Sequence, residues 1–191
     1  MKKSKVMLFG AMALTAGLAL AACGSSQSNN ADKTYSYIFV NNPDTLDYIT
    51  STRDSTSSIT TNLIDGLLEN DQYGNLIPSM AESWTVSKDG LTYTYKIRQG
   101  AKWYTSEGEE YADVTAHDFV TGLKYAADKK AENLYLVQDS IKGLADYVEG
   151  KSSDFGTVGV KAVDDYTLQY TLNQPETYWN SKTTASILNP V

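Results

Sequence analysis

Residues 81–103 read AESWTVSKDGLTYTYKIRQGAKW, and their period decides the fold class. Trp84 and Val86 fall on one side of an extended run, Asp89 and Gly90 break it, and Leu91, Tyr93, Tyr95 and Ile97 then alternate with Thr92, Thr94, Lys96 and Arg98. Strict alternation of apolar and polar residues suits a strand with one buried and one wet face. Two such runs joined by Asp-Gly predict a β-hairpin, the pair supplying the positive φ angles of a two-residue type I′ turn.

The same logic extends downstream. Val158, Val160 and Ala162 share one side of a run, Asp164 and Asp165 turn the chain, and Tyr166, Leu168, Tyr170 and Leu172 return on the same side. This predicts a second hairpin, ended by Pro175, with the paired aspartates as turn residues rather than as an acid and a base. Between the hairpins, Thr115 and Asp118 open a capping box, and Ala116, Phe119, Val120, Leu123 and Ala127 form one helical stripe. Lys124, Lys129 and Lys130 suit the negative end of that helix, and His117 in its first turn reads as an exposed residue. Asp139 to Glu149 predict a second amphipathic helix on Ile141, Leu144, Ala145 and Val148, stopped by Gly150. A further helix is expected to begin between Thr177 and Ala185.

Upstream, Tyr35 to Val40 read as a first strand, broken at Asn41-Asn42-Pro43-Asp44. Ser55 to Leu68 place Ile59, Leu63 and Leu67 at helical spacing, after a polar segment in which Asp54 or Ser55 would cap the helix. Asn70 to Asn75 contain acidic residues and amides, but they lack the regular ligand spacing and closing glutamate of a calcium loop and predict a turn. Glu107 to Glu110 form an acidic loop, which predicts solvated surface.

Taken in order, these segments resemble the peptide- and nickel-binding family of bacterial extracellular solute-binding proteins, in particular the oligopeptide-binding lipoproteins of streptococci. The likeness rests on Ile64-Asp65-Gly66-Leu67-Leu68 with Tyr73-Gly74-Asn75-Leu76-Ile77-Pro78, on Ala81 to Trp103, on Val114-Thr115-Ala116-His117-Asp118-Phe119-Val120, and on Val160-Lys161-Ala162-Val163-Asp164-Asp165-Tyr166-Thr167-Leu168. Thr45-Leu46-Asp47 is similar to a further family step, with Tyr48 where proline is usual. The resemblance implies an α+β (mixed α/β) lobe, the first part of a two-lobed, class II periplasmic-binding-type fold. Residues 34–75 would start the main sheet lobe, and 76–191 would belong to a hairpin-rich subdomain. It further implies that the segment after the first strand lines the ligand cleft, which makes Thr52, Arg53 and Asp54 the candidate ligand-facing residues; the residues themselves fit equally a solvated loop whose Asp54 or Ser55 only caps the helix.

The chain has 191 residues, 41% of them hydrophobic, enough for a core. Family members are several times longer, so a truncated or partial gene product is expected. Its formal net charge is −7, and Lys2, Lys3 and Lys5 concentrate positive charge at the extreme N-terminus, leaving the remainder more acidic still. A surface of this sign repels phosphate backbones and argues against nucleic acid as a partner. A single cysteine excludes an internal disulfide, and a single histidine leaves little for a transition-metal site.

That cysteine stands in a telling place. Residues 1–22 combine a basic start, an apolar run from Val6 to Leu20 and small residues before Cys23, which is the pattern of a secretory signal peptide. Leu20-Ala21-Ala22-Cys23 resembles the lipobox of bacterial lipoproteins, so Cys23 is the expected site of lipid attachment, and two acyl chains would anchor the protein stably. Residues 23–33, with Gly24 to Asn30 free of apolar side chains, predict a flexible tether.

No Gly-x-Ser-x-Gly elbow, glycine-rich phosphate loop or His/Cys cluster is present, so catalysis is not expected. The resemblance implies a receptor without cofactor, anchored at the extracellular face of the cell membrane, that captures oligopeptides for an ABC permease. The alternative is a peptide-sensing or interaction lipoprotein, or a truncated product without function.

Overall fold

A computed structural model describes Ile38 and residues 41–191. The expected signal peptide, Cys23, the tether and the strand from Tyr35 to Val40 lie outside the described residues, Ile38 apart. Residues 41 onward belong to the compact unit Phe39–Val191.

Its centre is a four-stranded antiparallel sheet built from both expected hairpins. β3 (Ala81–Val86) pairs with β4 (Thr92–Ile97), β8 (Thr167–Thr171) pairs with β4, and β7 (Val160–Asp164) closes the far edge, giving the order β3-β4-β8-β7. Tyr93 lies opposite Tyr170, and Tyr95 opposite Leu168. These four side chains share one face and are buried, together with Ile97 and Val160. The opposite face is polar, where the Lys96 ammonium donates to the Thr167 hydroxyl at 2.7 Å and the Gln169 amide donates to the Thr94 hydroxyl at 3.2 Å. Cross-strand pairs of this sort pin the register on the wet side while the aromatic side fills the core.

The turn of the first hairpin differs from the expected one. Lys88 to Leu91 span it as a longer loop, in which the Ser87 N–H donates to the Thr92 carbonyl and the Gly90 N–H to the Ser87 carbonyl, both at 2.9 Å. Gly90 has φ +73° while Asp89 stays outside the left-handed region, so the type I′ geometry is not formed. The Asp89 carboxylate accepts from the Leu91 N–H at 3.1 Å, a local bond that closes the turn on the aspartate side.

Helix α2 (Ala116–Lys129) covers the buried face of the sheet with Ala116, Phe119, Leu123, Ala126 and Ala127. Its start is the expected capping box, the Asp118 carboxylate accepting from the Thr115 N–H at 2.7 Å. Lys130 closes it in the left-handed conformation, φ 52°. A second contribution to the core comes from the C-terminal segment, where the helix expected to begin between Thr177 and Ala185 forms. Helix α4 (Trp179–Lys182) drives Trp179, fully buried, against Tyr170 at 5.3 Å and Tyr93 at 6.1 Å between ring centroids.

Two expected helices are shorter than their spacing suggested. Helix α1 runs only Asp54–Thr60 and buries Thr56 and Thr60, while Leu63 is 68% exposed. Its sequence is rich in serine and threonine, whose hydroxyls bond back to the preceding turn, as Ser58 does to the Asp54 carbonyl at 2.7 Å and Thr61 to the Ser57 carbonyl at 2.7 Å. Such bonds compete with helix propagation. The chain leaves the helix, and Leu68 enters β1 (Leu68–Asn70), which pairs with β2 (Leu76–Pro78) around the expected turn at Asp71 to Asn75. The capping position is Arg53, without a side-chain cap, so neither Asp54 nor Ser55 caps the helix.

Likewise α3 spans only Leu144–Val148. Ile141 forms a bridge to Leu172 and extends the sheet instead, and Gly143, at φ +71°, turns the chain into the helix. Gly150 ends the segment as expected, with its N–H on the Tyr147 carbonyl. A separate hairpin, β5 (Lys102–Tyr104) with β6 (Glu110–Asp113), carries the acidic loop into solvent.

Candidate functional site

The segment from Asp44 to Thr56 folds around Asp47. Its Oδ1 accepts the N–H groups of Ile49 and Thr50, each at 3.1 Å, and its Oδ2 accepts the Thr50 hydroxyl at 2.7 Å and the Tyr125 hydroxyl at 2.8 Å. Partial burial pushes this carboxyl up, but the bonds from Thr50, Tyr125 and Ile49 outweigh it and leave Asp47 below the ordinary carboxylate value. Ile49, the next buried residue, seats in the core.

Tyr48 points the other way along the same turn and donates to the Pro190 carbonyl at 2.6 Å. Burial, with the Asp47 and Asp118 charges adding to it, pushes this hydroxyl up to about 12, so it stays a neutral donor. Proline, the residue usual at this step in the resembled family, has no hydroxyl to make that bond. Beyond the turn, Thr56 donates to the Thr45 carbonyl at 2.8 Å and accepts from the Ser51 hydroxyl at 3.2 Å. The loop is thereby closed on itself and fixed to α2 and to the C-terminal segment.

This framework presents the three expected ligand-facing residues on open surface. Thr52, Arg53 and Asp54 are all exposed. Thr52 donates to the Glu132 carboxylate at 2.7 Å, and the Arg53 guanidinium pairs with Asp44 at 3.0 Å. Asp54 opens α1, where its charge faces the positive helix end. The sequence reading missed Glu132, which opens the 3-10 helix Glu132–Leu136 and reaches residue 52 across a separation of 80 positions. It also missed the roles of Tyr125 and Tyr48. Only the Thr45-Leu46-Asp47 step pointed to this turn.

The expected exposure of His117 holds, with the imidazole 3.3 Å from Asp165. An open depression of about 580 Å³ beside it is lined by Lys142, Val158, Lys161 and Gln169 among others. A smaller cavity of about 130 Å³ lies between Leu63, Ile64, Met80, Trp103 and Pro190. Thr52, Arg53 and Asp54 line neither. Among the described residues no group of three or more His, Cys, Asp or Glu could hold a metal ion.

Residues 75–191 match the profile of the bacterial extracellular solute-binding proteins, family 5, middle region. The chain belongs to that family. Family 5 membership extends to close relatives over nearly the whole sequence. The oligopeptide-binding protein SarA of Streptococcus gordonii is 63% identical and matches 100% of this chain and 30% of its own length. The oligopeptide-binding protein AliB of Streptococcus pneumoniae is 65% identical over 99% of this chain and 29% of its own length. Among solved structures, the peptide-bound OppA of Listeria monocytogenes superposes with a TM-score of 0.69 at 34% identity, over 76% of this chain and 28% of that one. The chain thus spans about 30% of the length of the curated relatives, and its mixed α/β fold is that of a part of an OppA-type periplasmic binding protein.

Proposed function

We propose that these residues form the N-terminal portion of a receptor that captures oligopeptides outside the cell and delivers them to an ABC permease. The observation that carries this reading is the 63% to 65% identity, over nearly the whole chain, to streptococcal proteins named for oligopeptide binding. In this reading the receptor is non-enzymatic, and lipid on Cys23 holds it at the extracellular face of the membrane. Residues 34–75 start its main sheet lobe, and 76–191 supply the hairpin-rich subdomain.

Thr52, Arg53 and Asp54 face the peptide, with Glu132 beside them. Their exposure, on a segment clamped by Asp47 and Tyr48, supports that role, because a binding surface gains affinity when it is rigid before the ligand arrives. Peptide backbones offer donors and acceptors at every residue, so a receptor of broad specificity bonds the main chain and leaves side chains in roomy, wet pockets.

Calorimetry of the complete gene product with a mixed oligopeptide pool tests this directly. Micromolar binding is expected. Residues 34–191 alone are expected to bind at least a hundred-fold more weakly, since several net hydrogen bonds of about 0.5 to 1.5 kcal/mol each come from the facing lobe. Absence of binding by the complete product would overturn the reading.

A further inference from the structure

We infer that Tyr125 is a positioning residue for the peptide, acting through Asp47, an inference that rests on the ligand-facing reading of Thr52 to Asp54. Tyr125 sits in α2, on the element that covers the sheet, and its ring lies under the Lys129 ammonium, 5.7 Å away. Its hydroxyl does not touch the ligand-facing residues. It reaches Asp47, and the same Asp47 oxygen takes the Thr50 hydroxyl.

The consequence follows the chain of bonds. Asp47 organises the turn through the Ile49 and Thr50 amides, and its own carbonyl accepts the Ser51 N–H at 3.1 Å. Ser51 in turn accepts the Arg53 N–H at 3.3 Å and donates to Thr56 inside α1. Tyr125 therefore fixes, from a rigid helix, the backbone that aims Thr52, Arg53 and Asp54. Without its hydroxyl the Asp47 carboxylate keeps its local bonds but loses its tie to α2, and the segment is then held from outside, among the described residues, only by Tyr48 on the Pro190 carbonyl, by Ile49 in the core and by Thr52 on Glu132.

A double-mutant cycle on peptide affinity in the complete gene product tests the inference. Tyr125→Phe is expected to weaken binding about five-fold. The combined Thr52→Ala, Arg53→Ala and Asp54→Ala variant is expected to weaken it about ten-fold, and Tyr125→Phe added to that variant less than two-fold further. This non-additivity distinguishes positioning from general support of the fold. Equal losses in both backgrounds, or no loss from Tyr125→Phe while the triple variant binds weakly, would overturn the role of Tyr125. An undiminished triple variant would overturn the ligand-facing reading itself. Should Tyr125→Phe fail to fold, Asp47→Asn weakens the same bond from its acceptor side and is expected to give the same pattern.

Discussion

The Tyr125 hydroxyl donates to the Asp47 carboxylate at 2.8 Å, joining residues 78 positions apart. Because the folded state holds the Asp47 carboxyl below its ordinary value of 3.8, the stability it contributes is present above that pH and is lost as pH falls through the lower, folded value. Asp47→Asn is expected to cost roughly 1 to 2 kcal/mol at pH 7, a figure kept low because the site is partly solvated. The difference from wild type should shrink below pH 3.8. Urea midpoints at pH 7 and pH 3 check this, and a gap that stays constant would contradict it.

Trp179 and Trp84 provide a contrast in burial. Trp179 is wholly enclosed between Tyr93 and Tyr170, whereas Trp84, opposite Tyr95 on the edge strand β3, is only half-buried and its neighbour Val86 is 45% exposed. Trp179→Ala is expected to cost about 3 to 5 kcal/mol and Trp84→Ala less than half of that. Chemical denaturation of both variants gives the ranking, and equal losses would place the centre of the core wrongly.

Much of this architecture was legible in the sequence, for an identifiable reason. Tyr93, Tyr95, Leu168 and Tyr170 alternate with polar residues, and alternation is a local signal that tertiary packing reinforces. The assignment of Trp84 and Val86 to a buried face was only half right, because an edge strand has a neighbour on one side. The helices at 55–68 and 139–149 were overextended because period alone does not register the hydroxyls that bond back in α1, or the pairing of Ile141 with Leu172. Within the candidate site, Thr52 to Asp54 were reachable by resemblance. Glu132 and Tyr125 were not, since contacts across 80 and 78 positions leave no local mark.

Gly122 on α2 marks where the C-terminal segment approaches most closely. A Cβ there would lie 2.3 Å from the Asn189 carbonyl oxygen, so Gly122→Ala requires backbone to move despite its higher helix propensity. Overpacking of this kind costs about 1 to 3 kcal/mol, and it should also lengthen the bond between Tyr48 and the neighbouring Pro190. A melting temperature equal to or above wild type would show that the segment yields freely.

The proposed anchor makes a separate prediction. With Cys23→Ser, the protein should neither incorporate radiolabelled palmitate nor be cut by the lipoprotein peptidase. Equal labelling of variant and wild type would remove lipid from the account.

The most direct test of the central claim is to ask where a bound peptide touches these residues. An oligopeptide carrying a photoreactive benzophenone is cross-linked to the complete gene product, and the adducts are mapped by mass spectrometry. The account predicts adducts on Thr52, Arg53, Asp54 or Glu132, abolished by excess unlabelled peptide. Competable adducts that map instead to the Lys102–Asp113 hairpin or to the depression around Lys142 and Lys161, with none on the four predicted residues, would contradict it.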